Sequence, residues 1–153
     1  MSNYDLLEMF VSSLRQGLFL TFENQAGLPL RLVEQDPPRE DIVAQLQGLD
    51  IHYAIHLKLC FPRSVFLAVA NHMLGEAETE VGVSNISLIE ELLNLIYVHA
   101  SAAINEAGHR FKPAIPYLGS ILPKGFQNIS DGARINCECS LGVFSLEIRM
   151  RER

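Results

Sequence analysis

Three polar side chains recur along one side of the otherwise apolar segment SLIEELLN. Ser87, Glu91 and Asn94 are spaced four and then three residues apart, so they share one face of an α-helix. Apolar residues fill the remaining positions almost without interruption, which predicts that the rest of this helix is buried. A hydroxyl, a carboxylate and a carboxamide therefore project together. We treat this polar stripe as a candidate site, with an ordinary solvated helix face as the competing interpretation.

The composition of the chain limits which classes of protein and partner are possible. The chain has 153 residues, of which 48% are hydrophobic and 20% charged, which favours one domain over residues 1–153. The net charge of -6 argues against a nucleic-acid partner, because phosphate backbones are bound by clustered lysine and arginine. No apolar run reaches the roughly 18 residues that a membrane span requires. Three cysteines and no export signal at the N-terminus predict a cytoplasmic protein.

The apolar spacing changes several times along the chain and predicts an α+β fold, with about three helices packed on a largely antiparallel β-sheet. The helix that carries the stripe is the longest predicted element. The predicted helices run from Asn3 to Gln16, ended by Gly17, from Pro62 to Leu74, and from a cap at Ser84 or Asn85 to about Ala107. The predicted strands are Leu18–Glu23, Leu28–Glu34, Asp41–Leu49, His52–Phe61, Pro113–Ile121, Ala133–Leu141 and Val143–Arg151, with turns at Gly125 and Asp131-Gly132.

Two further pairs of side chains could carry chemistry. His52 and His56 share one side of a predicted strand, but no third ligand has a suitable spacing, so we interpret them as histidines on a partly exposed sheet face and not as a metal site. Cys137 and Cys139 also share one side of a strand. Since a redox pair usually has two intervening residues at the start of a helix, we interpret these thiols as part of the core.

The C-terminal arginines form a separate pattern. Arg149, Arg151 and Arg153 alternate along the C-terminal tail, and on a strand they would share one face. Such a trio is typical of a solvated edge strand, and we prefer that interpretation to a binding patch.

The stripe gains a specific meaning from a resemblance. Ser87, Glu91 and Asn94 match the motif Ser or Asp, three residues, Glu, two residues, Asn, which resembles the active site of the CheC/CheX chemotaxis phosphatases. CFPRSVFLAVANHMLGEAETEV and PAIPYLGS resemble the segments that precede and follow this motif in CheX, the closer of the two. The resemblance covers about Asp41 to the C-terminus in the order of its elements.

The resemblance implies a function and a partner. The chain would dephosphorylate the aspartyl phosphate of a CheY-like response regulator, with Asn94 positioning the attacking water and Glu91 docking the receiver's lysine. Ser87, Val98 and Ser101 would contact the receiver. No cofactor is expected on this chain, because magnesium is expected on the receiver. The family also implies a homodimer that pairs through its sheets, with His52–Phe61 either at such an edge or in the sheet centre.

Two positions depart from the family pattern. Leu93 and Val98 occupy positions where the family usually has glycine; Leu93 should face the core, whereas Val98 lies on the stripe one turn beyond Asn94. A valine there adds bulk where a partner's backbone would approach. Val98 therefore favours an alternative, a non-catalytic interaction module that binds a receiver or a flagellar switch protein. A dimeric small-ligand sensor is a third possibility, although no sequence feature indicates its pocket.

Overall fold

The structure, a computed structural model, describes residues 3–113, 115–127 and 132–153. It contains three α-helices, α1 (Asn3–Phe19), α2 (Arg63–Leu74) and α3 (Leu88–Glu106). Its strands are β1 (Arg31–Leu32), β2 (Ile42–Leu49), β3 (Tyr53–Phe61), β4 (Lys112–Pro113), β5 (Tyr117–Leu118), β6 (Gly132–Cys139) and β7 (Gly142–Glu152). A π-helical turn, Leu20–Gln25, follows α1, and a short 3-10 helix spans Lys124–Phe126.

The seven strands form one antiparallel sheet in the order β1-β6-β7-β3-β2-β4, and β5 also pairs with β2. This arrangement confirms the predicted α+β fold, including the hairpin of β2 and β3, in which Ile42 pairs with Phe61. It also decides between the two positions considered for the third strand. Because β3 lies between β2 and β7, it is central and offers no free edge.

The helices α1 and α3 pack against each other and cover one face of the sheet. Their contact depends on Gly17, where a Cβ atom would lie only 2.4 Å from the backbone oxygen of Ile96 in α3. Alternate residues of the sheet point toward the helices, among them Ala44, Leu57, Leu146 and Ile148, which are all fully buried. The core therefore lies between this sheet face and the two helices.

The N-terminal third differs from the prediction. Gly17 does not end the first helix, which continues to Phe19 and into the π-helical turn, so the predicted strand Leu18–Glu23 is wrong. Leu18 and Phe22 are both fully buried. Residues four apart lie on one face of a helix and also on one face of a strand, so their spacing fits both structures. The predicted strand Leu28–Glu34 is reduced to β1, because only Arg31 and Leu32 pair with β6.

Most later elements agree with the prediction within a few residues. The helix after Pro62 ends at Gly75 in the left-handed conformation, with φ of 65°, and α3 is the longest element. The predicted strand Pro113–Ile121 is broken into β4 and β5, and Gly125 lies in the 3-10 helix. Asp131 lies outside the described residues. Within the described ranges, no helix has the length and apolar character needed to cross a membrane.

The second face of the sheet is polar and partly covered by the segment 119–126. His56, predicted on a partly exposed face, is instead fully buried there, 5.2 Å from the Phe126 ring between centroids. Its Nε2 lies 2.7 Å from Oε1 of Gln45. The covering segment thus removes from water a face whose sequence pattern indicated exposure.

The arginines of the last strand also lie on this second face. The prediction of an edge strand is wrong, because β7 lies between β6 and β3. Arg149 reaches Glu147 at 3.3 Å, and the Arg151 guanidinium lies 5.2 Å from the centre of the Phe126 ring. A carboxylate and an aromatic ring therefore compensate cations that would otherwise require a solvated edge.

Candidate functional site

A short turn leads into α3 and fixes its start. Asn85 is buried, and its Oδ1 accepts the Gly82 N–H at 2.8 Å while its Nδ2 donates to the Glu80 oxygen at 3.0 Å. Of the two predicted capping residues, Asn85 therefore provides the side-chain bonds. Ser87 immediately precedes the helix with near-helical backbone angles, so its side chain still follows the helical spacing.

The stripe is presented to solvent as the spacing predicts. Ser87, Glu91 and Asn94 are all exposed, whereas the residues on the other sides of the helix are buried. The buried residues are Leu88, Ile89, Leu92, Leu93, Ile96, Tyr97, Ala100 and Ile104. Among the described residues, no hydrogen bond or ion pair engages the side chains of the stripe. These three polar groups are therefore free to contact a partner.

The stripe continues through α3 by two further positions. Val98 is 53% exposed, so its isopropyl group stands on the same face one turn beyond Asn94. Ser101 is half-buried, and its hydroxyl donates to the Val98 carbonyl oxygen at 2.7 Å. The Ser101 hydroxyl is thus used within the helix, while Val98 determines the shape of this end of the surface.

Charge around the stripe is negative. Glu90 and Glu91 lie in the first turn of α3, where the positive end of the helix dipole favours carboxylates. Glu80, whose backbone oxygen accepts a hydrogen bond from Asn85, is exposed in the linker before the helix. This surface is suited to a partner that presents a cation.

Sequence reasoning missed a groove beside the start of α3. The groove has a volume of about 220 Å³ and is lined by Glu40, Asp41, Ile42, Val43, Ile86, Leu118, Gly119 and Ser120. It adjoins the stripe because Ile86 directly precedes Ser87. The sequence offered little signal for it, since Leu118 belongs to a strand of two residues whose pairing with β2 leaves no periodic pattern.

The histidines and cysteines do not form a further centre. His52 is exposed and precedes β3, whereas His56 is buried within it. In the described part of the chain, no group of three or more His, Cys, Asp or Glu side chains is placed to hold a metal ion. Cys137 and Cys139 are buried as predicted. Burial raises the pKa of the Cys137 thiol to about 12, so this thiol is protonated at neutral pH.

Comparison with known proteins identifies the architecture. A CheC-like superfamily protein from Shewanella sp. PV-4 matches with a TM-score of 0.75 and 23% identity over 94% of this chain and 97% of its own. CheX from Vibrio vulnificus matches with a TM-score of 0.77 and 19% identity over 93% and 99%. The chain has the CheC/CheX fold. No protein-family model and no curated protein sequence matches it.

Two further solved structures share this fold. CheX from Borrelia burgdorferi, solved as a complex with CheY, BeF3 and magnesium, has a TM-score of 0.66 and 10% identity over 94% of this chain and 98% of its own. The FliY protein of Thermotoga maritima has a TM-score of 0.68 and 14% identity over 96% and 89%. The CheX fold thus occurs both in a receiver complex and in FliY.

Proposed function

We propose that this chain is a CheX-type phosphatase that hydrolyses the aspartyl phosphate of a CheY-like receiver domain. The observation that carries this proposal is the unengaged, exposed Glu91 and Asn94 on one face of α3. Support comes from the shared fold of a CheX solved with CheY, BeF3 and magnesium. The pair would face the receiver's phosphorylated aspartate when the two proteins dock through α3.

The reaction is hydrolysis of an acyl phosphate. A water oxygen attacks the phosphorus atom in line, the bond from phosphorus to the aspartyl oxygen breaks, and the products are the receiver's free aspartate and inorganic phosphate. The receiver supplies magnesium and a lysine, which neutralise charge on the phosphoryl oxygens. The main task left to the phosphatase is therefore to place the water. Holding the water in line with the bond that breaks lowers the entropic cost of bringing it to the phosphorus atom.

Asn94 suits the role of placing the water. Its neutral carboxamide both donates and accepts hydrogen bonds, so it can orient the water without adding negative charge beside the phosphoryl group. Glu91 lies one turn earlier on the same face and would pair with the receiver's lysine. A charge-assisted bond of this kind fixes the register of the two proteins.

The decisive experiment measures phosphate release from a panel of phosphorylated CheY-like receivers. We expect the wild-type chain to accelerate release from its cognate receiver, and Asn94→Ala to lose that acceleration while its binding is largely preserved. Glu91→Ala should weaken both binding and release. Asn105→Ala, an exposed asparagine near the other end of α3, is the matched control. Unchanged release by Asn94→Ala would contradict the catalytic assignment.

A binding function without catalysis is the second candidate. The specific observation in its favour is Val98, which stands exposed beside Asn94 and would hold a docking backbone away from the helix. The fold is also that of FliY. In the same assay, a stable complex with a receiver or a flagellar switch protein, without faster phosphate release, would favour this candidate over the phosphatase.

A further inference from the structure

The groove beside α3 has an apolar wall on each side. Leu118 in β5 pairs with Ala44 of β2, and paired residues of neighbouring strands point to the same side of a sheet. Since Ala44 belongs to the core face, Leu118 points toward the helix layer. It is nevertheless 43% exposed, because the groove opens between it and Ile86.

The strand that carries Leu118 is held in place by a buried side chain. Gln45 is fully buried, and its Nε2 donates to the Gly119 oxygen at 2.6 Å and to the Ile121 oxygen at 3.1 Å. The Gly119 N–H also donates to the Val43 oxygen at 3.0 Å. Leu118 therefore sits in a fixed position, which lowers the entropy lost when a partner covers it.

The charges at the rim of the groove are largely compensated. Asp41 lies 3.1 Å from Arg39 and accepts the Arg63 N–H at 3.1 Å. Glu40 lies near Lys58 and Arg134. With these carboxylates already paired, the groove offers the apolar side chains of Ile42, Ile86 and Leu118 beside the Ser120 hydroxyl.

We propose that this groove receives an apolar side chain of the receiver, so that Leu118 and Ile86 form a second docking point next to the catalytic stripe. The inference rests on the proposed function, which supplies the occupant. A receiver that covers Ser87 and Glu91 would lie next to the groove, because Ile86, which lines the groove, directly precedes Ser87. The stripe would then have an apolar contact beside its first residue, at Leu118.

The two docking points have different tasks. Contacts along the stripe involve the phosphoryl group and the lysine, which receivers share, whereas the groove would contact a side chain that differs between receivers. Shape matching in an apolar pocket discriminates between partners by their side-chain volume. Leu118 is thus expected to affect which receiver binds and how tightly, with little effect on the chemical step.

The test compares two leucines of almost equal exposure. Leu118→Glu introduces a charge into the groove, while Leu49→Glu does so at the opposite end of β2, where Leu49 is 41% exposed. The substrate is a receiver whose dephosphorylation the wild-type chain accelerates. We expect Leu118→Glu to raise KM at least about tenfold, equivalent to about 1.4 kcal/mol, with kcat nearly unchanged. Leu49→Glu should leave both constants within about twofold of the wild type.

A binding measurement separates the two proposals. Affinity for the receiver carrying beryllofluoride and magnesium is measured in an Asn94→Ala background, with circular dichroism to verify folding. Weaker binding of the Leu118→Glu variant, with unchanged binding of the Leu49→Glu variant, supports the proposal that the groove receives a side chain of the receiver. If both variants bind the receiver equally tightly, the proposal for the groove is contradicted, while the proposed phosphatase activity is not. If the wild-type chain releases phosphate from no receiver and binds none, both proposals are contradicted. A changed oligomeric state in Leu118→Glu, with receiver binding intact, would assign the groove to a second copy of the chain instead.

Discussion

At the scale of single residues, Val98 offers the most direct test of docking geometry. Because it is exposed one turn beyond Asn94, Val98→Gly would let a partner's backbone approach the helix. We expect kcat/KM for the phosphorylated receiver to rise several-fold, about tenfold for each 1.4 kcal/mol gained in docking. Glycine should also lower the free energy of unfolding by about 0.5 kcal/mol, since valine is already a poor helix former. Val98→Ala, which shortens the side chain without adding backbone freedom, is the control, and a fall in kcat/KM for Val98→Gly would contradict this role.

A second residue, His56, couples stability to pH. Burial lowers the pKa of His56 from 6.5 to about 4, and repulsion by Arg149 and Lys58 adds to this effect. The unfolded chain therefore binds a proton that the folded chain does not, so the stability present above pH 6.5 is lost as the pH falls toward 4. The loss attributable to His56 is up to about 3 kcal/mol.

Urea unfolding at pH 7 and pH 4.5 measures this loss. We expect His56→Gln to lose less stability than the wild type between these two values, because glutamine can keep a bond to Gln45 but does not titrate. His52→Gln, at the exposed histidine before β3, should keep the wild-type slope. If both variants follow the wild type, protonation of His56 does not limit stability.

The exposure of the stripe could be predicted from the sequence, whereas the environment of His56 could not. Glu91 and Asn94 lie on one helix, so their relation depends on a local repeat that the sequence contains directly. His56 is hydrogen-bonded to Gln45 in the neighbouring strand and is buried by Phe126, which lies far away in the chain. A sheet face that carries His, Lys and Glu has the pattern of a solvated surface, and only the covering segment reveals otherwise.

At the scale of elements, the packing of α1 on α3 positions the stripe-bearing helix. The close approach at Gly17 leaves no room for a methyl group, since its Cβ would lie 2.4 Å from the Ile96 oxygen. We expect Gly17→Ala to lower the free energy of unfolding by about 1–3 kcal/mol, measured by urea denaturation. Gly82→Ala, where an added Cβ meets nothing within 4 Å, is the control. Equal stability of the two variants would show that the helices can separate at no cost.

The same glycine explains why the N-terminal elements were predicted less well than the later ones. Gly17 was interpreted as a helix end because glycine is common there, but its role is to allow two helices to touch. The end of α2 at Gly75 was predicted correctly, because that glycine does adopt the left-handed conformation. Sequence alone cannot distinguish these two uses of glycine, since one is local and the other depends on a residue nearly 80 positions away.

At the scale of the whole molecule, the sheet determines where a homodimer could form. The predicted dimer stays a prediction, but its edge cannot be β3, which is central. β1 pairs with Glu138 and Cys137, near the end of β6. Among the described residues, no strand pairs with the earlier part of β6 on the side away from β7. The opposite edge, at β2, is covered by β4 and β5, and Leu118 of β5 lines the docking groove. A dimer through β6 would therefore leave α3 accessible to a receiver.

The proposed mechanism, in which the receiver carries the magnesium ion, gives a prediction about this ion. Among the residues that the structure describes, no group of three or more His, Cys, Asp or Glu side chains is placed to hold a metal ion. We expect EDTA to leave the melting temperature of the isolated chain unchanged within about 1 °C, a shift below that of 1 kcal/mol for a domain of this size. The same treatment should lower phosphate release by at least about tenfold, with excess magnesium restoring it. A melting temperature that falls with EDTA would instead place a structural metal on this chain.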